Sequence, residues 1–373
     1  LGGLVKQRGI EYIQGTASFS GSGTLDIRGA DGNNLSLAFE NCILATGSRP
    51  LIPPGIAIRS DRLWDSTAAL ELREIPRSLL VIGGGYIGVE LGSVYAQLGS
   101  RVTLVEMLPG ILPGADRDLV QTFLRRSGKR FAGILTESRV TGLEETADGL
   151  RATIENQGES VRKDFQYVLV STGRRPNSDR IGLEKTAVRP DPRGFVQTGP
   201  DCGTGDPCIR AIGDVTGGAM LAHKASHEGR AAVDTIAGKA AVFAPRAIPA
   251  VVYTDPEIAF TGLTESEARK KGLDVRVLKF PWAASGRAQA AADPDGLTKL
   301  ISDPGTGKIL GVGIAGQNAG EMISEGSLAI GMDATAKDLA SVIHPHPTLS
   351  ETLMEAAEMF EGTCTHIFRP KRS

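Results

Sequence analysis

Two groups of residues in this chain have types and spacings that suit chemistry. The first is Gly83, Gly85 and Gly88, which form a G-x-G-x-x-G filled out by Gly84, Tyr86 and Ile87 and followed by Val89 and Glu90. Glycines so placed allow a tight turn, a close backbone approach to a pyrophosphate, and close packing of a helix on a sheet. Glu106 stands about 20 residues further on, where a carboxylate holds a ribose 2′-hydroxyl. That carboxylate repels a 2′-phosphate, and Met107, Leu108 and Pro109 bring no Arg to offset it. The pattern favours NAD over NADP. The second group lies in His344-Pro345-His346-Pro347-Thr348-Leu349-Ser350-Glu351. An imidazole oriented by a carboxylate is a general acid/base, so His346 and Glu351 are candidates for proton transfer. Glu351 has a second possible role, because Thr348 to Glu351 also reads as a capping box with Thr348 as N-cap. A carboxylate accepts several hydrogen bonds, so the two roles are compatible.

These residues need particular elements to position them. The apolar run 79–82 suits a buried parallel strand. A helix over 86–98 follows and stops at Gly99, its N-terminal N–H groups facing the pyrophosphate. A second strand over 102–105 delivers Glu106. Tyr86, at the helix start, is either a lid over the nicotinamide end or a ring packed on the sheet. Upstream, a strand starts at Ile10, Tyr12 and Ile13, and two short strands over 24–28 and 35–39 flank the turn Asp31-Gly32-Asn33. Ala45-Thr46-Gly47-Ser48-Arg49-Pro50 closes a buried strand. A helix over 66–72 leads into the dinucleotide unit, a helix over 116–126 follows it, and strands over 151–154 and 166–170 complete it. Another buried strand ends in Ile212-Gly213-Asp214-Val215, where Asp214 either binds a polyol hydroxyl or caps the turn. Met220, Leu221, Ala222 and His223 then lead into a helix reaching Gly238. From Pro245, strands over 251–253, 258–261, 275–280, 297–302 and 309–314, with helices over 264–272 and 318–331, suggest an α+β layer. A helix running to Glu361 follows the histidine motif.

The bulk numbers are ordinary for a soluble globular protein and point away from other classes. The length of 373 residues implies two or three domains. A net charge of −2 gives no reason to expect nucleic acid, and no apolar run is long enough to span a bilayer. The four cysteines, Cys42, Cys202, Cys208 and Cys364, form no C-x-x-C or zinc spacing and fit a reducing compartment. The chain begins at Leu1 without Met and reads as a segment without its start, so the absence of a targeting peptide carries no information.

Motifs in one order then identify a family. ATGSRP (45–50), GGGYIGVELG (83–92), TGRRPN (172–177), IGDV with MLAHKASHEG (212–229) and HPHPTLSE (344–351) together resemble dihydrolipoamide dehydrogenases, a family of flavin-dependent disulfide oxidoreductases. The resemblance covers nearly the whole chain. It implies an α/β fold: a partial FAD domain (1–59 and 178–243), an inserted Rossmann-like NAD domain (60–177) and an α+β dimerisation domain (244–373). It places Thr46, Gly47 and Ser48 by FAD, Asp214 on the ribityl chain, and Met220 to His223 along the isoalloxazine. Gly83 to Glu90, Glu106, Val140 and Gly173 bind NAD, and His346 with Glu351 serves the dithiol of the other subunit. It further implies a cytoplasmic homodimer working with the lipoyl domain of a 2-oxo acid dehydrogenase complex, without nucleic acid, metal or membrane. The family's own FAD G-x-G-x-x-G and its C-x-x-x-x-C redox pair, expected N-terminal to these motifs, are missing. The expected product is therefore a fragment of the enzyme or a non-catalytic, NAD-binding dimerising remnant. Glutathione reductases share the His-Pro-Thr ending but use NADPH, against Glu106. Mercuric reductases carry C-terminal vicinal cysteines, against the single Cys364.

Overall fold

Strand Ser78–Ile82 is hydrogen-bonded on both sides, to Tyr167–Val170 and to Arg101–Val105, all in parallel. Leu63–Trp64 and Gly133–Leu135 extend this to a five-stranded sheet. Leu79, Leu80 and Val81 are fully buried, as strands covered on both faces require. On one face Val89, Leu91 and Tyr95 of helix Tyr86–Gln97 pack with Trp64, Leu104 and Phe123. The Tyr95 hydroxyl donates to Ala69 O at 2.7 Å, which satisfies its polar tip inside this core. The other face is covered by the antiparallel sheet Ser138–Glu145, Leu150–Asn156 and Glu159–Phe165, through Val140, Leu143, Leu150 and Ile154. Complete burial of each such side chain contributes about 1.5–3 kcal/mol.

The structure is a computed structural model that describes residues 1–30 and 32–367. Asp31, the first residue of the expected turn, lies outside the described residues. The chain divides into two units, Leu1–Arg49 with Arg174–Ala244, and Pro50–Gly173 with Pro245 onward. In the first unit, strands Gly15–Gly21, Thr24–Gly29 and Asn34–Ala38 form an antiparallel sheet. Cys42–Leu44 pairs in parallel with Ile209–Ala211, and Phe19, Leu44, Ile209 and Val215 share a core. The strand expected from Ile10 does not form. A helix, Gly2–Gln7, occupies the start, the sheet begins at Gly15, and Ile10 and Tyr12 are exposed.

In the second unit the C-terminal half forms a five-stranded antiparallel sheet. Its order is Ala250–Val252, Glu257–Gly262, Ile309–Gly316, Leu297–Ser302, Arg276–Pro281. Helices Ala319–Gly331 and Glu351–Glu361 pack on it around Trp282, Ile314 and Leu353. A buried ionic cluster joins this half to the dinucleotide half. Lys299, 1% exposed, donates to Asp116 Oδ2 at 2.9 Å and to Glu265 Oε2 at 3.0 Å, and pairs with Asp118 Oδ1 at 2.7 Å. Burial works against the ammonium charge, but Asp116 and Asp118 outweigh it and hold Lys299 above its ordinary range. Asp116 also accepts the backbone N–H groups of Glu265 and Ser266, capping the helix Glu265–Lys270 from outside.

Candidate dinucleotide cleft and acid/base pair

The C-terminal ends of the parallel strands open into a cleft of about 510 Å³. Gly83, Glu106 and Val140 line it, with Ile56, Thr172 and Arg139. A cleft at the carboxyl edge of an open α/β sheet is where this architecture binds ligands. Glu106 is fixed by two backbone donors: Gly84 N–H to Oε2 at 2.6 Å and Leu108 N–H to Oε1 at 2.8 Å. Gly84 has to be glycine for this, since a Cβ there would stand 3.0 Å from Glu106 Oε2 and 2.9 Å from Ile111 Cγ2. At Gly88 a Cβ would meet Gly83 O at 2.0 Å, so helix and turn touch backbone to backbone. Gly85, the N-cap of the helix, has open space where a Cβ would stand, which leaves its backbone open to a phosphate.

The other expected residues divide by burial. Val89 is 0% exposed and faces the core, so its side chain packs and does not line the cleft. Ile87 is packed against the same core. Tyr86 stands at the helix start with 41% exposure. Glu90 accepts the Tyr253 N–H at 2.8 Å, and burial raises its carboxyl although that hydrogen bond opposes the rise. Gly173 is exposed beside the cleft residue Thr172. Arg139 was not anticipated, although its strand neighbour Val140 was.

In the first unit, three motifs converge. Ser48 Oγ donates to Asp214 Oδ2 at 2.5 Å. Arg174 donates from Nε to Ser48 Oγ at 2.6 Å and from Nη2 to Ser48 O at 2.8 Å. Asn177 Nδ2 donates to Thr46 O at 2.9 Å, and its backbone N–H donates to Gly47 O at 3.0 Å. Arg174 and Asn177 carry no assigned role in the sequence reading, yet they hold Thr46, Gly47 and Ser48 in place. Asp214 lies in the short helix Gly213–Thr216 with a quarter of its side chain exposed. Buried Lys224 and Glu228, paired at 2.6 Å, brace this turn, and Glu228 accepts the Gly213 N–H at 2.7 Å. Met220 and Leu221 are half-buried, while Ala222 and His223 are exposed at the start of helix Ala222–Ile236.

The two histidines of the C-terminal motif separate cleanly. His344 has a side chain only 4% exposed, bonded through Nε2 to Glu325 at 2.7 Å and through Nδ1 to Val342 O at 2.9 Å. His346 has a side chain 73% exposed and meets Glu351 Oε1 through Nδ1 at 2.9 Å. Glu351 Oε2 accepts the Thr348 N–H at 2.7 Å, so one carboxylate does both jobs. The reciprocal capping box does not form. Thr348 Oγ1 donates to Pro345 O, and the N-cap is Ser350. Burial tends to raise the Glu351 carboxyl, but the Thr348 N–H and His346 outweigh it and hold it below the usual carboxylate range. The start of this helix is anchored from the core. Trp282 Nε1 donates to Thr298 Oγ1 at 2.9 Å, and Thr298 Oγ1 meets Thr352 Oγ1 at 2.7 Å. Thr352 gives its one hydroxyl proton to Leu349 O at 2.7 Å, so Thr298 is the donor to Thr352.

The sequence matches the pyridine nucleotide-disulphide oxidoreductase family over residues 3–229, and the dimerisation domain of that family over residues 248–357. The chain belongs to the pyridine nucleotide-disulphide oxidoreductases. It is 45% identical over 367 residues to the dihydrolipoyl dehydrogenase of Haemophilus influenzae, across 98% of this chain and 77% of that one. The dihydrolipoyl dehydrogenase of Geobacillus stearothermophilus is 45% identical over 365 residues, with the same coverage of 98% and 77%. Among solved structures, the HOCl-induced flavoprotein disulfide reductase RclA from Escherichia coli aligns with a TM-score of 0.86 at 28% identity, covering 94% of this chain and 79% of that one. No helix of this oxidoreductase is long and apolar enough to cross a membrane among the described residues. Its cysteines are free thiols. Burial pushes Cys42 and Cys202 up, and burial with Glu355 pushes Cys364 up to about 12, so these three are not poised thiolates.

Proposed function

We propose that this oxidoreductase is a dihydrolipoyl dehydrogenase. It oxidises the dithiol of protein-bound dihydrolipoamide to the disulfide and reduces NAD⁺ to NADH, releasing one proton. The observation that carries the reading, beside the similarity to enzymes of that name, is the exposed His346 imidazole held through Nδ1 by Glu351. Nδ1 is engaged, so Nε2 is the nitrogen that takes the proton of the attacking thiol. Glu351 offsets the positive charge that the imidazole then carries.

Two cofactor sites fit the residues present. The open backbone at Gly85 and the doubly fixed Glu106 suit the pyrophosphate and ribose of NAD, with Gly83 to Glu90, Val140 and Gly173 around them. Asp214, fixed by Ser48 and partly exposed, keeps acceptor capacity for the polyol chain of FAD. A Cβ at Gly47 would likewise meet open space. Thr46 and Met220 to His223 complete that side. When bound, the flavin relays the electron pair and the nicotinamide takes it up as hydride. The chain's own residues orient the dinucleotide, hold the polyol and accept the proton. None of the four cysteines is spaced as a C-x-x-x-x-C pair, so the disulfide step is assigned to no residue of this chain. The dimerisation domain supports a homodimer. We assign a lipoyl domain of a 2-oxo acid dehydrogenase complex as partner and the cytoplasm as location.

The test is His346→Gln in the full-length gene product. NADH-dependent lipoamide reduction should fall about 10²–10⁴-fold, the usual contribution of a positioned acid/base. NADH oxidation by an artificial acceptor, which bypasses the dithiol, should be retained. Equal losses in both assays would remove His346 from the proton-transfer role.

A further inference from the structure

Behind the acid/base pair, the C-terminal tail turns back on helix Glu351–Glu361 and gathers side chains that the proposed reaction does not use. Gly362, at φ +77, ends the helix and reverses the chain. Cys364 and His366 then come to lie against Glu355, which is 4% exposed. Cys364 Sγ donates to Glu355 Oε2 at 2.9 Å, and His366 Nδ1 bonds Glu355 Oε1. Glu358 joins from the same face of the helix, three residues on. Its Oε2 is closed off from solvent and has no hydrogen-bond partner among the described residues. The ligand atoms of Glu355, Glu358 and Cys364 all lie within 4.8 Å of one another.

The Thr365 backbone N–H serves the Glu358 carboxyl, but a purely structural clasp leaves its Oε2 unexplained. A buried acceptor without a donor is unfavourable by about 1–3 kcal/mol, and a second carboxylate beside it makes matters worse. A cation satisfies both carboxylates at once. The donor set selects the kind of cation: one sulfur and two carboxylates suit borderline-soft zinc, whereas calcium and magnesium take oxygen alone. We propose that Glu355, Glu358 and Cys364 form a zinc-type divalent metal site that fastens the C-terminal tail to the last helix, with His366 bracing Glu355 from outside. On binding, the Cys364 S–H bond breaks, its proton leaves to solvent, and the thiolate sulfur bonds the metal with no change of oxidation state.

Cobalt(II) is the probe, titrated into the 373-residue chain under a phosphine reductant. One cobalt per chain should bind, with a thiolate-to-cobalt charge-transfer band that zinc(II) abolishes by displacement. Cys364→Ser should lose the band while keeping the wild-type circular dichroism. Glu358→Gln, which preserves shape, should weaken binding at least about tenfold, since losing even a supporting group at a metal site weakens it about 10–100-fold. Absence of the band in the wild type would overturn the site. So would a band that persists in Cys364→Ser, since Cys42 or Cys208 would then be its source. Unchanged affinity in Glu358→Gln would also overturn it, and that variant decides the matter if Cys364→Ser does not fold.

Discussion

The Gly84 N–H and the Glu106 carboxylate are 2.6 Å apart, so the glycine turn that we propose receives a pyrophosphate also fixes the residue proposed to select the ribose. The two halves of the proposed dinucleotide site are one hydrogen-bonded unit. Replacing Glu106 by Ala should weaken NADH binding about tenfold or more, because a hydrogen bond to a charged group is worth about 1.5–3 kcal/mol. The same change removes the charge that repels a 2′-phosphate and leaves Arg139 on the cleft wall. NADPH affinity should therefore rise, and adding Arg139→Ala should cancel the rise. Fluorescence titration with both dinucleotides measures this. Equal affinity of the wild type for NADH and NADPH would sink the ribose assignment.

Glu351 is held below the ordinary glutamate value of 4.5, with burial opposed and outweighed by Thr348 and His346. A carboxylate with a depressed folded pKa stabilises the protein above its unfolded pKa and loses that contribution as pH falls through the folded value. Glu351→Gln keeps an acceptor for the Thr348 N–H but not the charge. The wild type should thus melt slightly higher than Glu351→Gln at neutral pH, and the gap should close as the pH drops below about 4.5. A gap that is constant over that range would show that the charge of Glu351 does not stabilise the helix start.

Turnover should fall in Glu351→Gln as well, because a neutral amide cannot offset an imidazolium. Steady-state kinetics with lipoamide, beside an artificial acceptor as control, separate this from any loss of fold. Unchanged lipoamide turnover would leave Glu351 as a structural residue only.

Lys299 and Lys279 touch the same carboxylates at different depths. Lys299 is 1% exposed and Lys279 is 40% exposed. Lys299→Met leaves buried carboxylates without their counter-charge and should destabilise by about 3–5 kcal/mol. Lys279→Met removes a surface pair and should change stability by less than about 1 kcal/mol. Denaturant unfolding distinguishes them, and similar losses in both variants would contradict the burial argument.

Thr352 passes its hydroxyl proton to Leu349 O and accepts from Thr298. Thr352→Val keeps the shape but leaves buried groups unpaired, at about 1–3 kcal/mol. The start of the C-terminal helix carries Glu351, so lipoamide turnover should fall together with stability. If turnover holds while stability falls, the Trp282–Thr298–Thr352 chain does not position the acid/base pair.

The dinucleotide stretch was readable because each residue there obeys one local rule: apolar run, glycine turn, helix, apolar run, acid. Its observed elements, Ser78–Ile82, Tyr86–Gln97 and Arg101–Val105, depart from the expected bounds by a residue at either end. The strand Glu159–Phe165 escaped notice because it is exposed up to Phe165 and shows no alternation. Glycine spacing alone misleads here. Gly311, Gly313 and Gly316 repeat the G-x-G-x-x-G pattern, yet they lie inside strand Ile309–Gly316. A Cβ at Gly311 would strike Leu263 O at 1.9 Å, so these glycines serve sheet packing. The bonds from Arg174 to Ser48 and from Asn177 to Thr46 span 126 and 131 residues, beyond the reach of local pattern. In the same way, His344 is set apart from neighbouring His346 in part by Glu325, which lies in the helix Ala319–Gly331, remote in sequence.

The buried lysine also sets an order of events during synthesis. Lys299 follows Asp116 by 183 residues. At roughly 5–20 residues per second, the ribosome makes Asp116 on the order of ten to forty seconds before the cation that neutralises it. The backbone donors of Glu265 and Ser266 arrive later than Asp116 too. A nascent chain released or cleaved after Gly173 would own a finished parallel sheet whose helix Arg117–Ser127 begins beside carboxylates deprived of these partners. As a transplanted cassette the dinucleotide half therefore lacks its last electrostatic neighbours, because they are encoded well downstream of it.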